Sequence, residues 1–156
     1  MDSGHKNCLG VKGPGCVEPS QVQWLRDQAK PGKGMLFCHI PLPEHLDLYN
    51  KYPYYGRVGN ITPFSVNTGL FAAVVEAKAV QWISVGHNHG TDFYGAYKAG
   101  VWLGFGRKSG YGGRYPKNLK IGARVFEITL EPFGIDTWVR EADGTVWKET
   151  EAKAKL

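Results

Sequence analysis

The run VQWISV, residues 80–85, constrains this chain more than any other stretch. Six apolar-rich residues follow a helical pattern and end at Gly86, so they read as a buried strand that delivers the chain to a polar turn. The turn is Gly86-His87-Asn88-His89. A second segment has the same plan: MLFCHI, residues 35–40, is a short apolar run with His39 at its end.

Helical periodicity surrounds these strands. EPSQVQWLRDQAK (residues 18–30) places Val22, Leu25 and Ala29 on one face, and Pro19 suits a first helical turn, where its missing N–H is not needed. NTGLFAAVVEAKA (67–79) carries an apolar stripe of Leu70, Phe71, Val74 and Val75. Between them, PLPEHLDLYNKY (41–52) is read as a turn out of the strand, and residues 54–66 as a polar loop. The N-terminal DSGHKNCLGVKGPG is turn-rich and read as loop. After the histidines come a strand in AGVWLGFG (99–106), a glycine-rich loop in RKSGYGGRYPKN (107–118), and the alternating ARVFEITLE (123–131). Two further strands close around Asp143-Gly144, a strong hairpin signal. The order predicts an α/β layer whose sheet continues into antiparallel hairpins, and in such sheets ligands gather at the carboxyl ends of the strands.

Composition narrows the function classes. Nineteen Lys and Arg against fourteen Asp and Glu give a formal +5, which favours anionic ligands, phosphate esters included. The basic residues are dispersed rather than striped, so nucleic acid is not the expected partner. No apolar run is long enough to cross a bilayer, and no membrane partner is expected. The first residues, MDSGHKNC, lack the apolar core of a signal peptide. The chain taken alone therefore leans towards a cytoplasmic location, with a secretory route open if a leader precedes it. Three cysteines cannot all pair within one chain: Cys8 and Cys16 can close a loop, but free buried thiols are the expectation. Trp24, Trp82, Trp102, Trp138 and Trp147 are assigned to the core. Asn60-Ile61-Thr62 fits the glycosylation acceptor pattern, a common chance triplet that Pro63 follows at once.

In an extended segment residues two apart face the same way, so His87 and His89 can present both rings to one pocket. If the strand before His39 is a neighbour, a third imidazole joins them, and neutral imidazole is a ligand for Zn, Fe and Mn. His5 and His45 are read instead as surface or turn residues satisfied by hydrogen bonds.

FCHIPLPEH, NTGLFAAVVEAKAVQWISVGHNHGTDFYG and GFGRKSGYGG, in this order, resemble the C-terminal half of calcineurin-like metallophosphoesterases. The branch is the one containing purple-acid-phosphatase-like proteins and dosage-dependent cell-cycle-regulator phosphatases. The resemblance implies a partial β-sandwich with flanking helices over residues 1–148, followed by a charged tail, 149–156, that frays. It implies His39, His87 and His89 as metal ligands, two transition-metal ions (Fe, Mn or Zn) per complete site, and hydrolysis of a phosphorylated protein or small ester. The same family supplies Asp-x-His, Gly-Asp and Gly-Asn-His segments that are not found here, and three imidazoles without a bridging carboxylate cannot pin two cations. Asp92 and Glu44 follow the histidines but are not assigned as bridges; Asp92 is expected to orient the loop or a histidine. The glycine-rich loop is read as a flexible connector, and the resemblance offers as the alternative that Arg107 and Lys108 approach the phosphate. The chain is accordingly read as a truncated or degenerate copy with weak or no activity alone. The alternative is a non-catalytic module that binds an anionic or phosphorylated partner.

Overall fold

The computed structural model describes residues 1–154. Its centre is a four-stranded sheet in the order β3 (Gly34–Phe37), β4 (Val80–Val85), β6 (Trp102–Phe105), β5 (Tyr94–Ala96). β3, β4 and β6 are parallel, with Leu36 opposite Ile83 and Ile83 opposite Leu103, and β5 runs antiparallel to β6. Leu36, Ile83, Val85, Leu103 and Phe105 are buried, as expected of strands covered on their faces. A second, antiparallel sheet comprises β7 (Gly122–Leu130), β8 (Phe133–Glu141) and β9 (Val146–Trp147). Phe126 of β7 lies edge-on to Trp82 and Phe37 of the first sheet. This is a mixed α/β arrangement, compatible with part of the domain that the resemblance implies.

Helix α1 (Pro19–Gln28) begins on a proline that needs no hydrogen bond, and it buries Val22 and Leu25. Helix α3 (Leu70–Ala77) starts after Gly69 in the left-handed region (φ 80°) and ends on Lys78, also left-handed (φ 51°). Arg26 of α1 pairs with Glu76 of α3 at 2.7 Å.

Five expectations change here. Residues Pro43–Lys51 form a helix, α2, rather than a turn: Pro43 occupies its first turn, and a proline there starts a helix instead of breaking one. The N-terminal segment is a two-stranded hairpin, β1 (Lys6–Cys8) and β2 (Val11–Pro14), closed by a Cys8–Cys16 disulfide, so these two cysteines are not free thiols. Cys38 is the free cysteine among the described residues, and burial pushes its thiol up to about 12. His45 is no surface residue: it is wholly buried on the inner side of α2, edge-on to the Phe105 ring. Trp24 and Trp147 are more than half exposed and do not belong to the core, whereas Trp82 does. The tail is tied back rather than fraying from residue 149: Lys153 exchanges backbone hydrogen bonds with Tyr54 (2.7 and 2.8 Å). Residues 155–156 lie outside the described residues.

Gly104 shows how closely the first sheet packs. A Cβ there would sit 2.8 Å from Cζ2 of Trp82 and 2.9 Å from Cβ of Tyr94. Gly104→Ala is therefore expected to cost about 1–3 kcal/mol in urea denaturation, the usual range for overpacking.

A cavity of about 440 Å³, lined by Trp82, Tyr94, Trp102, Phe133 and Ile135 among others, opens between the sheets. Trp82 and Trp102 belong to the first halves of β4 and β6. The histidines sit beyond the last residues of β3 and β4, at the opposite end.

Candidate metal-binding histidine site

Two parallel neighbours, β3 and β4, end side by side, and each continues into a histidine-bearing turn. The amide of Cys38 donates to the Ser84 carbonyl (3.2 Å) and that of Gly86 to the His39 carbonyl (2.9 Å), so the ladder extends past both strands. Residues 39 and 87 are thereby brought together across 48 positions of sequence. Their rings meet edge to face with centroids 5.3 Å apart and planes at 88°.

His87 lies in the left-handed region (φ 66°), and the Asn88 amide turns back onto the Gly86 carbonyl (2.7 Å). The segment is thus a turn and not extended, which corrects the expectation that an extended backbone aims His87 and His89 the same way. Both nevertheless line one cavity of about 210 Å³ with His39, Gly106, Arg107 and Lys108. Nδ1 of His89 is hydrogen-bonded to the Arg114 carbonyl. A carbonyl only accepts, so Nδ1 carries a proton and the ring is oriented by that bond. Gly113 makes this approach feasible: a Cβ there would be 3.3 Å from the His89 ring, and its φ is +75°.

Burial, then the neighbouring His39, His89 and His5, lower the His87 pKa below its ordinary value. The ring is therefore neutral at pH 7 and offers a lone pair to a cation.

Residues not singled out by their sequence hold this turn. Asn88 is buried; its Oδ1 accepts from the Thr62 amide (3.0 Å) and its Nδ2 donates to the Thr62 hydroxyl (2.9 Å). Ser3, 1% exposed, accepts from the Ile40 amide (2.9 Å) and the His39 amide (3.3 Å). Neither could be found from spacing, because each works only through a partner at least 26 positions away.

The carboxylates near the histidines are engaged elsewhere. Asp92 accepts from the Arg57 amide (2.9 Å) and from Nε of Arg107 (2.5 Å), so it orients the loop and no histidine. Arg107 also donates to Glu141 (3.0 Å) and to the Lys120 carbonyl (2.7 Å). Two of its three nitrogens are thus committed, although the residue lines the cavity. Lys108 bonds the Gly110 carbonyl. Glu44 accepts from Asn67 (3.3 Å). Among the described residues no group of three or more His, Cys, Asp or Glu side chains is arranged to hold a metal ion. The rings of His39 and His87 are adjacent, but a two-metal centre does not fit the described residues by themselves, because none of the carboxylates just described bridges them.

No family model matches the chain. It is similar to Probable inactive purple acid phosphatase 29 of Arabidopsis thaliana, 31% identical over 121 residues, which are 77% of this chain and 31% of that protein. Probable inactive purple acid phosphatase 14 of the same species is 29% identical over 139 residues, 88% of this chain and 34% of that protein. The chain is a relative of the purple-acid-phosphatase-like proteins. Phosphatase DCR2 of Saccharomyces cerevisiae extends the relationship, at 28% identity over 164 residues, 90% of this chain and 27% of that protein. This phosphatase relative spans about a third of the length of the curated proteins it matches.

Proposed function

We propose that this chain carries the histidine half of a metal-dependent phosphoester-hydrolysing centre. The observation that supports it most is the pairing of the His39 and His87 rings at the ends of adjacent parallel strands, in a relative of phosphatases. The complete centre takes two ions of Fe, Mn or Zn, with His39, His87 and His89 among their ligands and bridging carboxylates supplied by residues other than those described. When bound, such ions supply a nucleophilic hydroxide and neutralise charge on the phosphoryl oxygens. This chain's own residues fix three imidazoles: Gly86 and Ser3 place His39, the left-handed turn places His87, and the Arg114 carbonyl orients His89 through Nδ1. A phosphorylated protein or small ester is the substrate class. The Cys8–Cys16 disulfide favours a secretory route over the cytoplasm, since such bonds persist in oxidising compartments.

A zinc titration followed by calorimetry, alongside hydrolysis of a chromogenic aryl phosphate, tests this reading. The chain is expected to bind about one Zn²⁺ per molecule, with affinity falling on the order of 10–100-fold in His39→Ala and His87→Ala. Turnover is expected to stay near that of a chain carrying both substitutions. Equal zinc affinity in parent and variants refutes the metal role. Robust metal-dependent turnover by the chain alone refutes the need for further ligands.

The committed carboxylates favour a second reading, a non-catalytic module for a phosphorylated or anionic partner, with Lys108 and Arg114 beside the imidazoles. Orthophosphate binding that persists in the presence of a chelator selects this alternative.

A further inference from the structure

The N-terminal sixteen residues approach the histidine site from outside the sheet. Met1 donates its terminal ammonium to the Phe37 carbonyl at the end of β3 (2.8 Å), and Asp2 and Gln21 exchange hydrogen bonds of 2.9 and 2.8 Å with α1 as anchor. Ser3 follows, buried, with its hydroxyl oxygen facing two consecutive amides, those of His39 and Ile40. These amides lie past the last residue of β3, and among the described residues no neighbouring strand holds them. The hairpin then closes behind Ser3. Gly15 lies so near that a Cβ on it would be 2.4 Å from the Ser3 carbonyl and 3.1 Å from the Gly4 backbone. The disulfide from Cys16 to Cys8, both at most 4% exposed, fixes that return.

We infer that Ser3 is a positioning residue for His39. Its hydroxyl takes the place of a neighbouring strand's carbonyl, satisfying the two amides that β3 leaves unpaired and so setting where the His39 ring sits relative to His87. The hairpin β1–β2, with its disulfide and with Gly15 against Ser3, supplies the rigidity that a single hydroxyl needs to act in this way. The consequence for function rests on the metal-site reading above; the positioning itself does not.

Amide hydrogen exchange on the full chain, resolved by NMR, tests the inference without any metal. In Ser3→Ala the His39 and Ile40 amides are expected to exchange about ten-fold faster, the scale of one lost hydrogen bond, while Ile83 and Ser84 in β4 keep their parental rates. The His39 ring signals shift, and Ser3→Thr, which retains the hydroxyl, restores protection. Unchanged exchange at residues 39 and 40 overturns the inference, as does acceleration spread evenly over β4. If the alanine variant does not fold, Gly15→Ala displaces Ser3 while leaving its hydroxyl, and is read on the same two amides with the same outcomes. Zinc affinity is measured in parallel. A Ser3→Ala chain with faster exchange but parental zinc affinity leaves the positioning role intact and counts against the metal-site reading instead.

Discussion

Acidification is expected to strip stability from this chain through one interior histidine, at about 1.4 kcal/mol per pH unit over its titration window. His45 is 0% exposed, neither ring nitrogen has a well-formed hydrogen bond, and burial lowers its pKa from 6.5 to about 3. The nearby carbonyls of Leu42, Gly104 and Ile83 offset only part of that desolvation. The sign follows from proton counting. Unfolded His45 takes up its proton near pH 6.5, whereas the folded ring stays neutral until about pH 3. Between those values the unfolded state holds more protons, so stability falls as the pH falls, and the loss is complete below the folded value. The total is on the order of 4 kcal/mol, a large part of a small domain's stability. Urea midpoints measured at several pH values for the parent and for His45→Leu check this. The difference between the two curves isolates His45 from carboxylates such as Asp47 and Asp136, whose pKa values are lowered by Lys51 and Lys148 and which also lose stability in acid. A difference curve that stays flat between about pH 6 and about pH 4 excludes the effect.

Asp92→Ala is expected to cost about 3–5 kcal/mol, as removal of one partner from a buried ion pair does. The Asp92 and Arg107 side chains are 2% and 9% exposed, and the guanidinium would be left with Glu141 as its remaining carboxylate. The same change frees the Arg57 amide and removes the anchor between the loop at residue 57 and the start of the glycine-rich loop. Arg107→Met should be at least as damaging, because it leaves two buried carboxylates, Asp92 and Glu141, facing each other's charge. Thermal and urea denaturation of both variants measure this. A loss below about 1 kcal/mol for either, the value of an exposed pair, shows that the network is solvated.

The parts of this fold that were legible from sequence are those specified by local pattern. The run 80–85 coincides with β4, the apolar stripes of α1 and α3 fall on real helices, and Asp143-Gly144 closes the β8–β9 hairpin. What was hidden has non-local causes. α2 was obscured by Pro41 and Pro43, whose meaning depends on where the helix begins. The β1–β2 hairpin has no alternating pattern and is held by a cross-link and by left-handed residues Asn7, Leu9 and Gly10. β5, Tyr94–Ala96, is three residues long and lies among glycines. His45 has the composition of a surface residue, and only its place under the sheet shows otherwise. In the site, the convergence of His39 and His87 was readable. Their supports were not, since Ser3, Asn88 and the Arg114 carbonyl act through tertiary contacts alone.

β3 and β7 are both outermost in their sheets, and they lie on the same flank, where Phe37 meets Phe126. Phe37, Ile128 and Leu130 are 53%, 48% and 74% exposed along that rim. The Met1 ammonium on the Phe37 carbonyl and the Ser3 hydroxyl on the His39 and Ile40 amides close the histidine end of that rim, so its apolar side chains are the part of the seam left open to solvent.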